Sequence, residues 1–245
     1  MSLYVMADLH LSLSEKINKP MEVFGQNWAN HAERIKKYWN AVVCPEDTVV
    51  IPGDISWAMK LEEAYDDLKF IDCLPGTKII SKGNHDFWWS TVGKIENFFA
   101  ENEITTIKLL HNNAYKLHEC IICGTRGWFY DEKQQNVINN TDFEKIVSRE
   151  AIRLEMSIKS ALQMSEEDKK LPILVFFHFP PVWNGLVCRP IVDILHKYNI
   201  KRCYFGHIHG AYFVPRTTEF EGISMTLVSA DYLKFAPMPV FFDDY

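Results

Sequence analysis

Asp8 and His10 stand one residue apart, Asp54 follows Gly53, and Gly83-Asn84-His85-Asp86 sets an amide, an imidazole and a carboxylate in a row. Further along, His178 sits alone between Phe177 and Phe179, and Gly206-His207-Ile208-His209 carries a pair. Carboxylate oxygen, amide oxygen and imidazole nitrogen together suit divalent ions of intermediate hardness such as Mn, Fe or Zn. Each piece also has a plainer reading. An Asp-x-His or a His-x-His is commonly ordinary loop chemistry, His178 could be a satisfied core histidine, and Asp54 after Pro52-Gly53 could form a turn or a helix cap.

The elements that must position these residues decide between the readings. Residues 3–7, 48–51, 78–80, 173–177 and 202–205 have the short, apolar, β-branched or aromatic character of buried strands. Each runs directly into one of the chemical pieces. In open α/β sheets ligands bind outside the carboxyl ends of the strands, so five strand ends are expected to deliver these side chains to one rim. The plainer reading would have to hold independently at all five, and the metal reading is the simpler one. Between the strands, apolar residues at helical spacing predict helices over 27–43, 61–71, 91–101 and 189–198. Thr141-Asp142-Phe143-Glu144 is a capping-box pattern, predicting a long helix with Phe143, Val147, Leu154, Ile158 and Ala161/Leu162 inward. Three short strands are expected over 104–124, and strands predominate from 211 onward. Strands alternating with helices make this an α/β protein. No linker or repeat divides residues 1–245, so a single domain is expected.

Composition narrows the function. The chain has 245 residues, 47% of them hydrophobic and 24% charged, an ordinary globular mixture. Lys plus Arg number 26 against 32 Asp plus Glu, a formal charge of −6 that argues against coating nucleic acid or anionic lipid. One locally positive site is still compatible with it. No basic leader with a long apolar region opens the chain, and no run reaches the ~18 apolar residues of a membrane span. With no secretory signal, the six scattered cysteines read as reduced thiols, and a cytoplasmic location is expected. Cys120 and Cys123 form a Cys-x-x-Cys inside an apolar run, where strand alternation favours core packing over a zinc or redox role.

In this order, the blocks Asp-x-His, Gly-Asp, Gly-Asn-His-Asp, His and Gly-His-x-His resemble those of the calcineurin-like metallophosphoesterases. The resemblance runs over residues 8–209, about four-fifths of the chain. It implies two mixed β-sheets packed as a sandwich and flanked by helices, a four-layer αββα arrangement. It also implies two divalent metal ions. Asp8, His10, Asp54 and His209 would hold one, and Asp54, Asn84, His178 and His207 the other, with the Asp54 carboxylate bridging. Two divalent cations outweigh the charges of Asp8 and Asp54 even with a hydroxide added, so a positive centre remains for phosphate. The activity implied is hydrolysis of a small phosphomonoester or phosphodiester by a metal-bound hydroxide. His85 is then the general acid that protonates the leaving oxygen. Its plainer role is a structural histidine. Asp86 either orients His85 or caps the segment that follows.

The ester itself is less legible. The Ser/Thr protein phosphatases continue the second block as Gly-Asp-x-x-Asp-Arg-Gly, but this chain reads Gly53-Asp54-Ile55-Ser56-Trp57-Ala58-Met59, which argues against that branch. Aromatic residues crowd the motifs (Trp57, Phe87, Trp88, Trp89, Trp128, Phe129 and Trp183), while basic residues come only in pairs. That pattern suits a small substrate with a flat or apolar part rather than nucleic acid, unless the rings are simply core. Arg126, between Gly124 and Gly127, is a candidate phosphate contact or else a surface ion pair. The segment 11–46 is long enough to cover part of the site. The alternatives are a pyrophosphatase acting on nucleotide- or lipid-type substrates, or a nuclease, of the same superfamily. A non-enzymatic metal scaffold would be expected to have lost ligands or His85, and none is lost.

Overall fold

The computed structural model describes residues 1–128, 140–166 and 171–242. Phe129 and the Thr141 side chain of the expected capping box lie outside the described residues. The chain groups into two compact units: residues 1–109, 206–214 and 228–244, and residues 110–205 and 215–227.

The first unit is built on β1 (Leu3–Val5), β2 (Thr48–Pro52), β3 (Thr77–Ser81), β4 (Ile107–Leu109) and β13 (Met238–Pro239). The sheet order is β13-β1-β2-β3-β4, parallel from β1 to β4 and antiparallel only at β13. The strand β2 is buried along its whole length, as expected of a run of β-branched residues in a sheet covered on both faces. Helices α1 (His31–Val42), α2 (Tyr65–Cys73) and α3 (Val92–Glu101) connect the strands. The helix expected from residue 27 starts at His31, because Asn30 is left-handed (φ 50°) and Gln26–Trp28 forms a 3-10 turn instead. Likewise Leu61–Ala64 is a 3-10 turn that leads into α2. Lys78 in β3 is fully buried, and its ammonium donates to the carbonyls of Asp72, Leu74 and Gly76 at 3.2, 2.5 and 2.9 Å. It thereby satisfies acceptors that the end of α2 leaves open.

The second unit contains β5 (Ala114–Lys116), β6 (Ile121–Thr125), β7 (Ile173–Phe177), β10 (Arg202–Phe205), β11 (Thr217–Phe220) and β12 (Ile223–Leu227). Its sheet runs β11-β12-β10-β7-β6-β5, parallel in the middle with an antiparallel strand at each edge. Both sheets are therefore mixed. Helix α4 (Asn140–Glu166) buries Phe143, Val147, Leu154, Ile158 and Ala161 on one stripe, the face its spacing predicts. Ser157, buried in the same helix, accepts the Gly124 N–H at 2.9 Å and donates to Asn113 O at 2.5 Å. Helix α5 (Arg189–Lys197) matches its expectation within a residue. A hairpin, β8 (Val182–Trp183) with β9 (Leu186–Val187), was not anticipated, although Asn184-Gly185 is the strongest short signal for one. Both central residues have positive φ, 49° and 78°. Cys120 and Cys123 are fully buried, and burial pushes both thiols up, Cys120 to about 12, as neutral core side chains. Among the described residues no helix is long and apolar enough to cross a membrane.

Candidate metal centre

Because β1, β2 and β3 are parallel, their carboxyl ends open on one edge of the first unit's sheet. The pairing does not stop where the strands do. Asp8 N–H donates to Gly53 O (3.0 Å), His10 N–H to Asp54 O (3.0 Å) and Leu11 N–H to Ile55 O (2.9 Å), so the loops 8–11 and 53–57 run on as a ladder. On the other side of β1, Ala7 bridges to Ser229. Four residues of the expected ligand set are left-handed without being glycine: Asp8 (φ 60°), His10 (46°), Asp54 (52°) and His207 (69°). Such conformations cost on the order of 1–3 kcal/mol each and persist only where surroundings over-determine them, as this ladder does.

The side chains then converge. Donor atoms of Asp8, His10 and His209 all lie within 4.8 Å of one another. The Nε2 atoms of His10 and His209 are 3.2 Å apart, and His10 Nε2 is 3.7 Å from Asp54 Oδ2. His209 Nδ1 donates to Asp231 Oδ1 at 2.9 Å, which turns its Nε2 toward Asp8 and His10. Beside this group, His207 Nδ1 is 3.0 Å from Asn84 Oδ1, and the His207 N–H donates to the Asp8 carboxylate. Burial pushes Asp8 up to about 8 and Asp54 up to about 6. At His209 burial opposes the imidazolium, but Asp231, Asp8 and Asp54 lift it to about 9. Buried carboxylates resisting ionisation and an imidazole resisting neutrality are what a cation among them would relieve. The donor set fits a divalent ion.

Two glycines make room for these carboxylates. A Cβ on Gly83 would lie 2.1 Å from Asp54 Oδ1 and 2.2 Å from Asp54 N, and one on Gly206 would lie 2.5 Å from Asp8 Oδ2. The glycines in Gly-Asn-His-Asp and Gly-His-x-His are there because a side chain would fill the cradle.

Asp86 is fully buried, and its carboxylate accepts five N–H groups: backbone Asp54 (2.9 Å), Ile55 (2.8 Å), Ser56 (3.2 Å) and Gly83 (2.8 Å), and the Trp88 indole (3.0 Å). Burial and the Asp54 charge push it up to about 7, against the pull of these donors. The carboxylate ties the Asp54 loop to the Gly83 loop. Asp67, buried and pushed up to about 6 by desolvation, supports the same loop by accepting the Ser56 hydroxyl and Leu13 N–H. Asp231 and Asp67 escape motif reading. Asp231 follows β12 by four residues, so the strand-end rule applied once more would have found it, whereas Asp67 lies within α2 and carries no such signal.

His85 is half-buried. Its N–H donates to Asp54 Oδ1 at 2.8 Å, and its ring packs on Trp57 with centroids 4.4 Å apart. Burial pushes its imidazole down, against the pull of Asp54. The ring faces a cavity of about 280 Å³ lined by His10, His209, Met21, Phe24, Trp28 and Trp57, among others. The segment 11–46 therefore contributes a wall of the site. Of the remaining aromatics, Trp88 and Trp89 are core and Phe87 is exposed. Lys19, which motif reading also passed over, places its Nζ 5.3 Å from the Trp57 ring centroid.

Two expected site residues belong to the second unit. His178 directly follows β7, fully buried, and its N–H donates to Arg126 O at 3.1 Å. The Arg126 guanidinium lies 3.5 Å from Glu150 Oε1 and over the Trp128 ring at 5.1 Å. Glu150, itself buried, also accepts the Thr125 hydroxyl and Arg153, both at 2.6 Å.

The family model for calcineurin-like phosphoesterases matches residues 1–211. Among solved structures, a phosphopantetheinyl hydrolase of Mycobacterium tuberculosis is similar with a TM-score of 0.56 at 17% identity, covering 99% of this chain and 96% of that one. The protein TT1561 of Thermus thermophilus is similar with a TM-score of 0.55 at 10% identity, covering 94% of this chain and 89% of that one. At these identities the likeness concerns the fold. No curated protein matches the chain.

Proposed function

The chain belongs to the calcineurin-like phosphoesterase family, and from that premise we propose that it hydrolyses a small phosphomonoester or phosphodiester with two bound divalent ions, Mn, Fe or Zn. The observation that carries the reading is the convergence of Asp8, His10 and His209 donors within 4.8 Å, with the His209 tautomer held by Asp231. These three with Asp54 would hold one ion. Asp54, Asn84 and His207 would hold the second, joined by His178 as the motif order implies. When bound, the ions would supply an acidified water as nucleophile and offset the phosphoryl charge. We read both units as one phosphoesterase domain over residues 1–245, since the family match crosses from one into the other.

The chain's own residues do the rest. His85 is next to Asn84 in sequence and its ring faces the cavity, where it can hand a proton to the departing alkoxide. Asp86 does not reach for the substrate. It positions Asp54 and the His85 loop through their backbone N–H groups, a positioning residue rather than a catalytic one. Arg126, engaged with Glu150, keeps its proposed role as a phosphate contact.

The test is elemental analysis of the purified protein, then assays on p-nitrophenyl phosphate and bis(p-nitrophenyl) phosphate with Mn²⁺ added, before and after chelation. About two metals per chain and metal-dependent release from either ester are expected, the rate ratio assigning monoester or diester. His85→Asn should lower kcat by roughly 10²–10⁴-fold with metal content unchanged. Absence of metal after Mn²⁺ is supplied, or turnover that survives chelation, overturns the reading.

A further inference from the structure

Beyond the histidines, most of the cavity's side chains are aromatic rings, with Met21 and Asp54 between them. Phe24 and Trp57 line it with their planes parallel to within 1° and their centroids 6.5 Å apart. Both rings thus present parallel faces to the same cavity. The Trp57 plane is fixed. Its indole N–H points at Met21 Sδ (3.1 Å), and its ring stacks on His10 at 4.9 Å and a 24° tilt. Phe24 is 63% exposed, on the 3-10 turn Met21–Phe24, so a large ring is left to solvent beside the cavity. Its counterpart Trp28 is 3% exposed and meets His209 edge-on at 5.5 Å.

We infer that Phe24 and Trp57 line a slot along whose aromatic wall a flat ring in the organic part of the substrate stacks, which makes the substrate class phosphoesters bearing a nucleobase or an aryl group. The inference rests on the proposed phosphoesterase reading for where the phosphate sits, but the slot itself does not. The histidines and both rings line the same cavity, so an ester whose phosphoryl group lies at the histidines has its organic part within reach of the slot. Exposed π-faces favour a planar π-system over a sugar or an alkyl chain, because a flat ring gains stacking against them. Lys19, 5.3 Å from the Trp57 centroid, adds a cation at the same mouth.

The slot is tested without turnover or metal, by titrating the full chain with adenosine, p-nitrophenol and ribose and following calorimetric heat and tryptophan fluorescence. At least one ring-bearing probe should bind about tenfold or more tightly than ribose, the usual worth of one stacked ring. Phe24→Ala should abolish that preference. The exposed Phe24 side chain contributes little to the core, and a thermal melt confirms that the variant is folded. Trp57→Ala, read in the same way by calorimetry, should act alike. Equal affinity for rings and ribose in the wild type, or a ring preference that survives both variants, overturns the inference. Hydrolysis of the chromogenic esters, measured in parallel, separates the two claims. Ester turnover without ring preference removes the slot alone, and ring preference without metal-dependent turnover removes the phosphoesterase reading alone.

Discussion

The glycine before Asn84 offers a test that touches no ligand. A Cβ at Gly83 would meet Asp54 Oδ1 at 2.1 Å and Asp54 N at 2.2 Å, about 1 Å inside the 3.0 Å below which real Cβ contacts are essentially never seen. Asp54 cannot simply retreat. Its N–H is held by Asp86 at 2.9 Å, its carbonyl by His10 N–H at 3.0 Å, and its φ is already 52°. Gly83→Ala should therefore cost about 1–3 kcal/mol of overpacking strain, lowering Tm by roughly 3–10 °C for a chain of this size. A displacement of about 1 Å at the carboxylate proposed to bridge the ions should cost on the order of 100-fold in kcat/KM. Metal bound per chain should fall as well. Gly93→Ala is the control, since nothing lies within 4 Å of where its Cβ would stand in α3, and alanine there should be neutral or stabilising. The measurements are melting temperature, metal content after gel filtration with Mn²⁺, and chromogenic ester turnover. If Gly83→Ala melts with Gly93→Ala and keeps wild-type metal and turnover, the argument that this glycine makes room for Asp54 is refuted.

Asp231→Ala should weaken Mn²⁺ binding by roughly 10–100-fold in a metal titration, because His209 loses the acceptor that sets its tautomer and orientation; unchanged affinity would remove Asp231 from the centre. In Asp86→Asn, whichever oxygen becomes an amide turns donors against at least two N–H groups, so unfolding in urea should come at about 2–4 kcal/mol lower stability. Wild-type stability in that variant would mean that the five hydrogen bonds do not form. Lys78 provides a pH test. Burial pushes its ammonium down to about 8, so between pH 8 and 10.5 the unfolded chain binds more protons and stability from this group rises with pH. Measured by denaturant unfolding, the stability of wild type relative to Lys78→Met should increase by up to ~3 kcal/mol across that window. A difference independent of pH would contradict the burial of a charged ammonium.

What the sequence determined by itself was the local part of this protein. Strands and helices are written in short-range periodicity, so β2, β3, β7, β10 and the buried stripe of α4 lie where apolar spacing puts them. The proposed ligand residues were legible for a related reason: each follows a strand within a few residues, and in the first unit the parallel strands β1 to β3 put their carboxyl ends on one edge. Residues that act at a distance were not legible. Asp86 was ambiguous because an aspartate beside a histidine says nothing of five N–H groups from two loops. Asp231 and Gly83 have meaning only through the imidazole and carboxylate they approach, and those contacts join residues 22 and 29 positions apart in the chain. Whether an aromatic near a motif is wall or core was likewise decided by packing, which exposes Phe24 at the cavity while burying Trp88 and Trp89. Periodicity and strand-end position are properties of neighbours along the chain, whereas hydrogen-bond partnership, crowding and burial are properties of neighbours in space, which exist only once the chain has folded.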